Sequence, residues 1–231
     1  MCGRFVRTSS VERFAELFGA AGYPATPPSH NIAPGARLLA ARTGADGHRE
    51  LCLLKWGLVP AWSDEPRTAY STINARAETV AEKPAYRAAF RQRRCLIAAD
   101  GFYEWHPQPD GHKQPYFIRL ADERPFAFAG IWEHWERDGQ RLESCSIIVT
   151  VANTLMQPIH ERMPVILAPE NYAAWLAPEP ADPATLKALL QPYPSENLRM
   201  HPVRTFVNSP RNDGPDLIQP ADSNRSARNV P

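Results

Sequence analysis

The sequence predicts a single α+β domain, with a mainly antiparallel, barrel-like β core and short flanking helices. Strand-like runs outnumber helical runs and do not alternate with them, which disfavours a parallel βαβ arrangement. The 231 residues include 24 prolines and 12 glycines, and these residues favour turns and extended segments over long helices. No linker divides the chain convincingly, so we expect one domain over residues 1–222 and a disordered tail over residues 223–231.

The helices predicted by apolar periodicity are short. The first lies in SSVERFAELFGAAG, where the apolar residues share one face. Ser9 and Glu12 match a capping box at its start, and Gly19 or Gly22 would end it. The second, in PAYRAAFRQRR, has Pro84 at its first turn. PENYAAWLA and DPATLKALL predict the third and fourth helices, each opened by a proline.

The strands are predicted from β-branched and aromatic runs that are separated by turn residues. In chain order these runs are RLLAAR, ELCLLKWGLV, RCLIAADGFYEW, PYFIRLA, FAFAGIWEHW and SCSIIVTVA. Their number and their succession without intervening long helices favour an antiparallel core.

Charge and hydropathy exclude several classes of protein. No run of about 18 apolar residues is present, so we expect no membrane span. The N-terminus lacks the apolar centre of a signal peptide, and we therefore expect a cytoplasmic protein. The formal net charge of +1 argues against a generally basic protein that coats nucleic acid, although it leaves room for a local basic groove.

The cysteines show no CxxC pair and no zinc-ligand spacing. Cys52, Cys95 and Cys145 lie in apolar, strand-like runs and are interpreted as small buried hydrophobic residues. Cys2 differs, because removal of Met1 would leave it with a free α-amine and a thiol on adjacent carbons. The histidines are scattered, and no glycine-rich phosphate loop is present, so we expect no metal and no cofactor.

Several polar side chains interrupt apolar stretches. STINARAET places Asn74, Arg76 and Glu78 at alternate positions, hence on one face if the segment is extended. Glu104 lies between two aromatic residues in DGFYEW, and His160 precedes the apolar run MPVIL. Each residue alone has an ordinary structural explanation, such as a strand-edge charge, a salt bridge or a satisfied core histidine.

Taken together, these segments have a recognisable order. MCGRF, WGLVPAW, INARAET, DGFYEW, AGIWE and IHERMPVIL resemble the SOS-response-associated peptidase (SRAP) family, over Met1 to about Pro220. The resemblance implies a monomeric α+β domain with a positively charged groove for single-stranded DNA. It further implies that Cys2 crosslinks covalently to abasic sites, a lyase-like activity that protects the lesion during the DNA damage response. Association with the nucleoid would follow from binding to damaged DNA.

Specific catalytic roles are also implied by the resemblance. Asn74 would orient the Cys2 terminus, and Glu104 would shuttle protons as the amine attacks and the imine forms. His160 would assist opening of the sugar ring by protonating the ring oxygen, and would catalyse the reverse reaction. The aromatic neighbours of Glu104 are expected to raise its pKa by excluding water.

The DNA contacts implied by the same resemblance involve phosphates and bases. They are placed at Arg4, Pro34, Trp62, Arg76, Trp105 and Arg162. In one respect the chain departs from the family, because some members have a second tryptophan where this chain has Ser63. Stacking at that position, and a preference for single-strand/double-strand junctions, are therefore not implied.

The aminothiol explains why a cysteine would stand at position 2. A neutral α-amine, with a pKa of about 8, condenses with the aldehyde of an open abasic sugar. The thiol then adds to the imine carbon and closes a five-membered thiazolidine, in an intramolecular step whose effective molarity can reach about 10⁵ M. Because a terminal residue adds little to the core, we expect Cys2 variants to fold normally.

Alternatives remain open at this point. Met1 could be removed by the protein itself, with Cys2 as a thiol nucleophile, or by a methionine aminopeptidase. Two other function classes are a non-covalent reader of modified or damaged bases and a general thiol peptidase. The reader predicts that Cys2→Ala leaves DNA association intact, whereas the peptidase predicts turnover of added peptides.

Overall fold

The computed structural model describes residues 2–67, 72–179 and 182–221. The strands are β1 (Phe5–Arg7), β2 (Ser29–Ile32), β3 (Arg37–Thr43), β4 (Arg49–Trp56), β5 (Asn74–Arg76), β6 (Arg94–Ala99), β7 (Gly101–Pro107), β8 (Lys113–Leu120), β9 (Phe126–Arg137), β10 (Gln140–Val151), β11 (Arg162–Pro164), β12 (Ile166–Leu167) and β13 (Leu198–Pro202). The α-helices are α1 (Val11–Phe18), α2 (Arg87–Gln92), α3 (Tyr172–Leu176) and α4 (Pro183–Ala188). The predicted tail, residues 223–231, lies outside the described residues.

A closed five-stranded barrel forms the centre of the molecule. Its strands run in the order β10, β4, β3, β6 and β9, and β9 closes the barrel by pairing with β10. Most of these pairs are antiparallel, but β4 and β5 both pair with β10 in parallel. The predicted α+β class with a mainly antiparallel, barrel-like core is confirmed. Because β5 adds alongside β10, the polar side chain of Asn74 is carried into the core.

A second sheet carries the N-terminus. Its order is β13, β8, β7, β1 and β2. In this sheet β1 lies between β7 and β2, so that Phe5 is paired with Phe102 on one side and with Ile32 on the other. The first residues of the chain are therefore held in the middle of a sheet.

The interior of the barrel and one face of the second sheet share one hydrophobic core. Phe5 packs edge-on against Trp56 and Phe128, with ring centroids 5.3 and 5.6 Å apart respectively. The Trp56 indole N–H donates a 2.9 Å hydrogen bond to the carbonyl of Ile73, so its buried donor is satisfied. Burial of a large apolar side chain contributes about 1.5–3 kcal/mol.

The helices cover the outer face of the barrel and form a second core there. Phe14 and Phe18 of α1, Phe90 of α2, Trp175 of α3 and Leu186 of α4 are its buried anchors. Successive strand residues point to opposite faces, so the same strands supply both cores. Among the helices of the described residues, none has the length and apolarity needed to cross a membrane.

The start of α1 differs from the prediction, whereas the rest of the helix matches it. Ser10, not Ser9, is the N-cap, and its hydroxyl accepts a 3.2 Å hydrogen bond from the Arg13 N–H. Ser9 is instead bound by the carboxylate of Asp100, which accepts from its N–H at 2.9 Å. Gly19, with φ of 58°, ends the helix as predicted.

The remaining helices follow the predicted segments, but α2 and α3 begin later than predicted, since Pro169 opens a 3₁₀ turn ahead of α3. Pro84 lies in the turn that precedes α2, and not in the first turn of that helix. Pro183 opens α4, whose N-cap Asp182 accepts a 3.1 Å hydrogen bond from the Thr185 N–H. The segment RCLIAADGFYEW divides at Asp100 into β6 and β7.

The bend between β6 and β7 requires a glycine at position 101. A Cβ there would lie 2.4 Å from the Phe117 ring and 2.8 Å from the carbonyl oxygen of Ile118. We expect Gly101→Ala to lower the free energy of unfolding by about 1–3 kcal/mol, because two paired strands would have to separate. Denaturant unfolding checks this result against Gly111→Ala, where nothing lies within 4 Å and the cost, about 1 kcal/mol, comes from the φ of +85° alone. No measurable loss for Gly101→Ala would contradict the steric explanation.

Candidate active site

Two of the predicted catalytic residues, Glu104 and His160, line an open cavity of about 570 Å³. It lies where β7 and β8 meet the first residues of the chain, the loop before β11 and a 3₁₀ turn at Thr205–Asn208. Its walls are formed by Gly3, Arg4, Glu104, Trp105, Pro107, Lys113, Ile159, His160 and Asn208.

Cys2 lies beside this cavity, with none of its surface exposed to solvent. The side-chain amide of Asn74 donates a 2.8 Å hydrogen bond to the Cys2 carbonyl oxygen. Asn74 is positioned by β5, which pairs with β10 at Ile147. The predicted proximity of Asn74 to the chain terminus is therefore present in the structure.

The burial of Cys2 corrects one expectation. The residue packs in the same core cluster as Phe5 and Trp56, so a substitution at position 2 is a core substitution. The expectation that the terminal residue adds little to the core was wrong, because β1 anchors the N-terminus between two other strands.

Glu104 and His160 lie next to each other in the cavity wall. Glu104 lies on β7 with 4% of its surface exposed, and its Oε1 atom is 3.9 Å from Nε2 of His160. The Nδ1 atom of His160 accepts a 3.0 Å hydrogen bond from the backbone N–H of Arg162. The neutral imidazole therefore carries its proton on Nε2, the nitrogen nearer to the carboxylate.

Burial raises the pKa of Glu104, and nearby positive charge only partly opposes this effect. The predicted direction is confirmed, but its cause is broader than the flanking aromatic residues. Tyr103 packs with Phe117 in a separate cluster, on the face of β7 opposite to Glu104. Burial, and secondarily the charge of Glu104, also raise the pKa of the Cys2 thiol. The Cys2 thiol therefore keeps its proton at neutral pH.

The other cysteines behave largely as expected. Cys95 and Cys145 are buried in the barrel, while Cys52 is only partly buried. Burial raises the pKa of Cys52 to about 12, so its thiolate is scarce at neutral pH. Within the described residues, no group of His, Cys, Asp or Glu side chains is arranged to hold a metal ion.

Arg4 reaches the cavity wall and at the same time binds a distant part of the chain. Its guanidinium donates hydrogen bonds to Asn31 Oδ1 at 2.9 Å, to the Val207 carbonyl at 3.0 Å and to the Asn208 carbonyl at 3.2 Å. We call residues 204–213 the C-terminal strap. Arg4 therefore joins β1 to the C-terminal strap, in addition to its predicted role at DNA.

Arg76 and Arg162 lie outside the cavity wall. Arg76 is exposed at the end of β5, and the Arg162 guanidinium forms an ion pair with the carboxylate of Glu78. Glu78 follows the strand in a turn, so the extended conformation does not continue through the whole of STINARAET. The expectation that Asn74, Arg76 and Glu78 share one face fails for this reason.

The aromatic and proline residues predicted to contact bases are spread more widely. Trp105 lines the cavity and donates a 2.8 Å hydrogen bond from its indole N–H to Oδ1 of Asn208. Trp62 is 69% exposed on a loop that is tied to β9, because Trp135 donates a 2.7 Å hydrogen bond to the carbonyl of Ser63. Pro34 borders a neighbouring cavity of about 510 Å³.

The sequence analysis missed Lys113 and Asn208. Lys113 enters the cavity because it pairs with Pro107 in the β7–β8 hairpin. Asn208 enters from the C-terminal strap, more than a hundred residues away in the chain. Neither residue lies in an apolar run or in one of the recognised sequence blocks, so no local pattern marked them.

Comparisons with known proteins agree with this architecture. The family described as "SOS response associated peptidase (SRAP)" matches residues 1–210. Abasic site processing protein YoqW of Bacillus subtilis is 42% identical over 223 residues, which cover 95% of this chain and 99% of that protein. Abasic site processing protein YedK of Escherichia coli is 32% identical, over 95% of this chain and 100% of that protein.

A vertebrate relative and a solved structure are also similar to this chain. Abasic site processing protein HMCES of Xenopus tropicalis is 36% identical over 194 residues, which cover 74% of this chain and 57% of that protein. A crystal structure of a Bacteroides thetaiotaomicron protein superposes with a TM-score of 0.84 at 29% identity, covering 95% of this chain and all of that one. The chain therefore belongs to the SOS response associated peptidase (SRAP) family.

Proposed function

We propose that this protein processes abasic sites in DNA by forming a covalent bond between Cys2 and the abasic sugar, after Met1 has been removed. The observation that carries the proposal is the position of Cys2, whose carbonyl is held by Asn74 beside the Glu104–His160 pair and an open cavity. Relatives that are 42% and 32% identical to this chain are named abasic site processing proteins.

The reaction joins one amine, one thiol and one aldehyde, with the loss of one water. The Cys2 amine attacks C1′ of the open sugar to give a carbinolamine, whose hydroxyl leaves as water to form an imine. The thiol Sγ then bonds to the imine carbon, and its proton passes to the nitrogen. The product is a thiazolidine, which resists hydrolysis better than the imine alone.

The chain's own groups match the proton transfers of this sequence. Glu104 removes a proton from the attacking nitrogen and returns one to the departing hydroxyl. Its raised pKa favours this exchange, because a carboxyl that titrates closer to neutral pH both accepts and donates protons readily. His160, with its proton on Nε2, protonates the sugar ring oxygen and so exposes the aldehyde. Asn74 fixes the direction of the amine through the Cys2 carbonyl.

The DNA partner of this site is single-stranded. A flexible strand presents C1′ to the cavity without the cost of unpairing bases. The predicted cations and aromatic groups around the cavity would bind phosphates and bases, and the net charge of +1 limits this attraction to the local surface. We further propose that the protein acts as a monomer.

Intact-mass analysis tests the function directly. We expect the purified protein to lack Met1, and to gain the mass of an abasic single-stranded oligonucleotide less one water. The control oligonucleotide carries a tetrahydrofuran abasic analogue, whose sugar cannot open to an aldehyde and should give no adduct. Binding of abasic DNA without an adduct would favour the non-covalent reader and would contradict the crosslinking proposal.

A further inference from the structure

The C-terminal strap carries exposed cationic and aromatic side chains that belong to none of the DNA contacts described above. Arg204, Phe206 and Arg211 are all exposed, and Phe206 has 60% of its surface in water. Among the described residues, Phe206 is one of few large hydrophobic side chains with such exposure. Cations interspersed with an aromatic group are typical of surfaces that bind single-stranded nucleic acid.

The exposure of Phe206 is not a consequence of a loose chain end. Asn31 donates from Nδ2 to the carbonyls of Ser209 at 2.9 Å and Asn212 at 2.8 Å. Asn212 in turn donates a 2.7 Å hydrogen bond to the carbonyl of Phe206, and the side chain of Val207, the next residue of the strap, is fully buried. The backbone that presents Phe206 is therefore fixed, and little further ordering is needed when a ligand binds.

The C-terminal strap also borders the candidate active site. Asn208 lines the cavity and is hydrogen-bonded to Trp105. Phe206 is two residues from Asn208, and two residues of chain span at most about 7 Å. The Phe206 backbone therefore lies within about 7 Å of the cavity wall, a distance similar to the spacing of neighbouring nucleotides in a strand. A strand whose abasic sugar occupies the cavity would bring a neighbouring nucleobase to the strap.

We propose that the C-terminal strap is a second DNA-contact surface, on which Phe206 stacks against a nucleobase next to the abasic site while Arg204 and Arg211 bind phosphates. The inference rests on the proposed function, because the strand is placed by its abasic sugar. It assigns to the strap a role in selecting lesions that have an unpaired, unstacked neighbour.

The test measures binding of the native protein to single-stranded DNA that contains the tetrahydrofuran analogue, by fluorescence anisotropy. We expect Phe206→Ala to weaken binding about 5- to 150-fold, the loss expected for one stacked base, with an unchanged salt dependence. Arg204→Gln and Arg211→Gln should each weaken binding and reduce the salt slope by about 0.7. Tyr23→Ala removes another exposed aromatic group, 67% exposed and not part of the cavity wall, and should have no effect.

A second readout identifies the base that is stacked. With 2-aminopurine placed beside the analogue, native protein should quench the fluorescence and Phe206→Ala should not. Equal affinity and equal quenching for native protein and Phe206→Ala would overturn the inference, provided that native protein binds this DNA and crosslinks abasic DNA. If native protein does neither, the proposed function itself fails.

Discussion

A chain that keeps one extra residue ahead of Cys2 is expected to form no heat-stable crosslink with abasic single-stranded DNA. The thiol remains in this form, but the α-amine is consumed in a peptide bond. A thiol alone adds to an aldehyde only as a hemithioacetal, which dissociates readily. The yield after heating in detergent should therefore fall from near completion to background.

Two substitutions separate the contributions of amine and thiol. Cys2→Ser and Cys2→Ala keep the amine, so each should form an imine that borohydride traps, without a stable ring. Because Cys2 is buried, thermal unfolding must show that each variant is folded at the assay temperature. A heat-stable crosslink from the extended chain, with its extra residue verified by mass spectrometry, would exclude the aminothiol mechanism.

Glu104→Gln should slow crosslinking by about 10²- to 10⁴-fold, the usual contribution of a general acid–base group, and at the same time stabilise the fold near neutral pH. Burial raises the folded-state pKa of Glu104 above its ordinary value of 4.5. The stability that comes from its bound proton is fully present below the ordinary pKa of about 4.5 and is lost as the pH rises through the folded-state pKa. The amide, which has no proton to lose, avoids this loss.

Thermal unfolding at several pH values, together with crosslinking rates, checks both effects. The excess stability of Glu104→Gln should be present at pH 8 and should vanish below about pH 4.5. Glu82→Gln serves as the exposed control. A Glu104→Gln variant that crosslinks at the native rate would remove Glu104 from the mechanism, and one less stable than native protein at pH 8 would contradict the sign of the pKa shift.

The long strands of the barrel could be predicted because each one carries its own run of apolar and aromatic residues. RLLAAR and FAFAGIWEHW lie within β3 and β9 almost residue for residue. The short strands β1, β2 and β11 could not be predicted, since their pairing depends on partners far away in the chain. For the same reason no local signal showed that Cys2 is part of the core.

The site was predictable to the extent that its residues lie in recognisable sequence blocks. Asn74, Glu104 and His160 come from three separate segments, and the structure brings Asn74 to Cys2 and Glu104 to His160. Lys113 and Asn208 reach the same cavity only through the register of a hairpin and the path of the C-terminal strap. Such placements depend on the tertiary fold, and no local sequence pattern predicts them.

The hydrogen bond between Arg4 and the Val207 carbonyl joins residues 203 positions apart, so it can form only when synthesis of the chain is nearly complete. The N-terminus emerges from the ribosome long before the C-terminal strap has been translated. An aminopeptidase can act on that emerging terminus at once, whereas self-removal of Met1 would need the assembled cavity and hence the finished chain. A nascent chain stalled before residue 204 would therefore lose Met1 by the first route and retain it by the second.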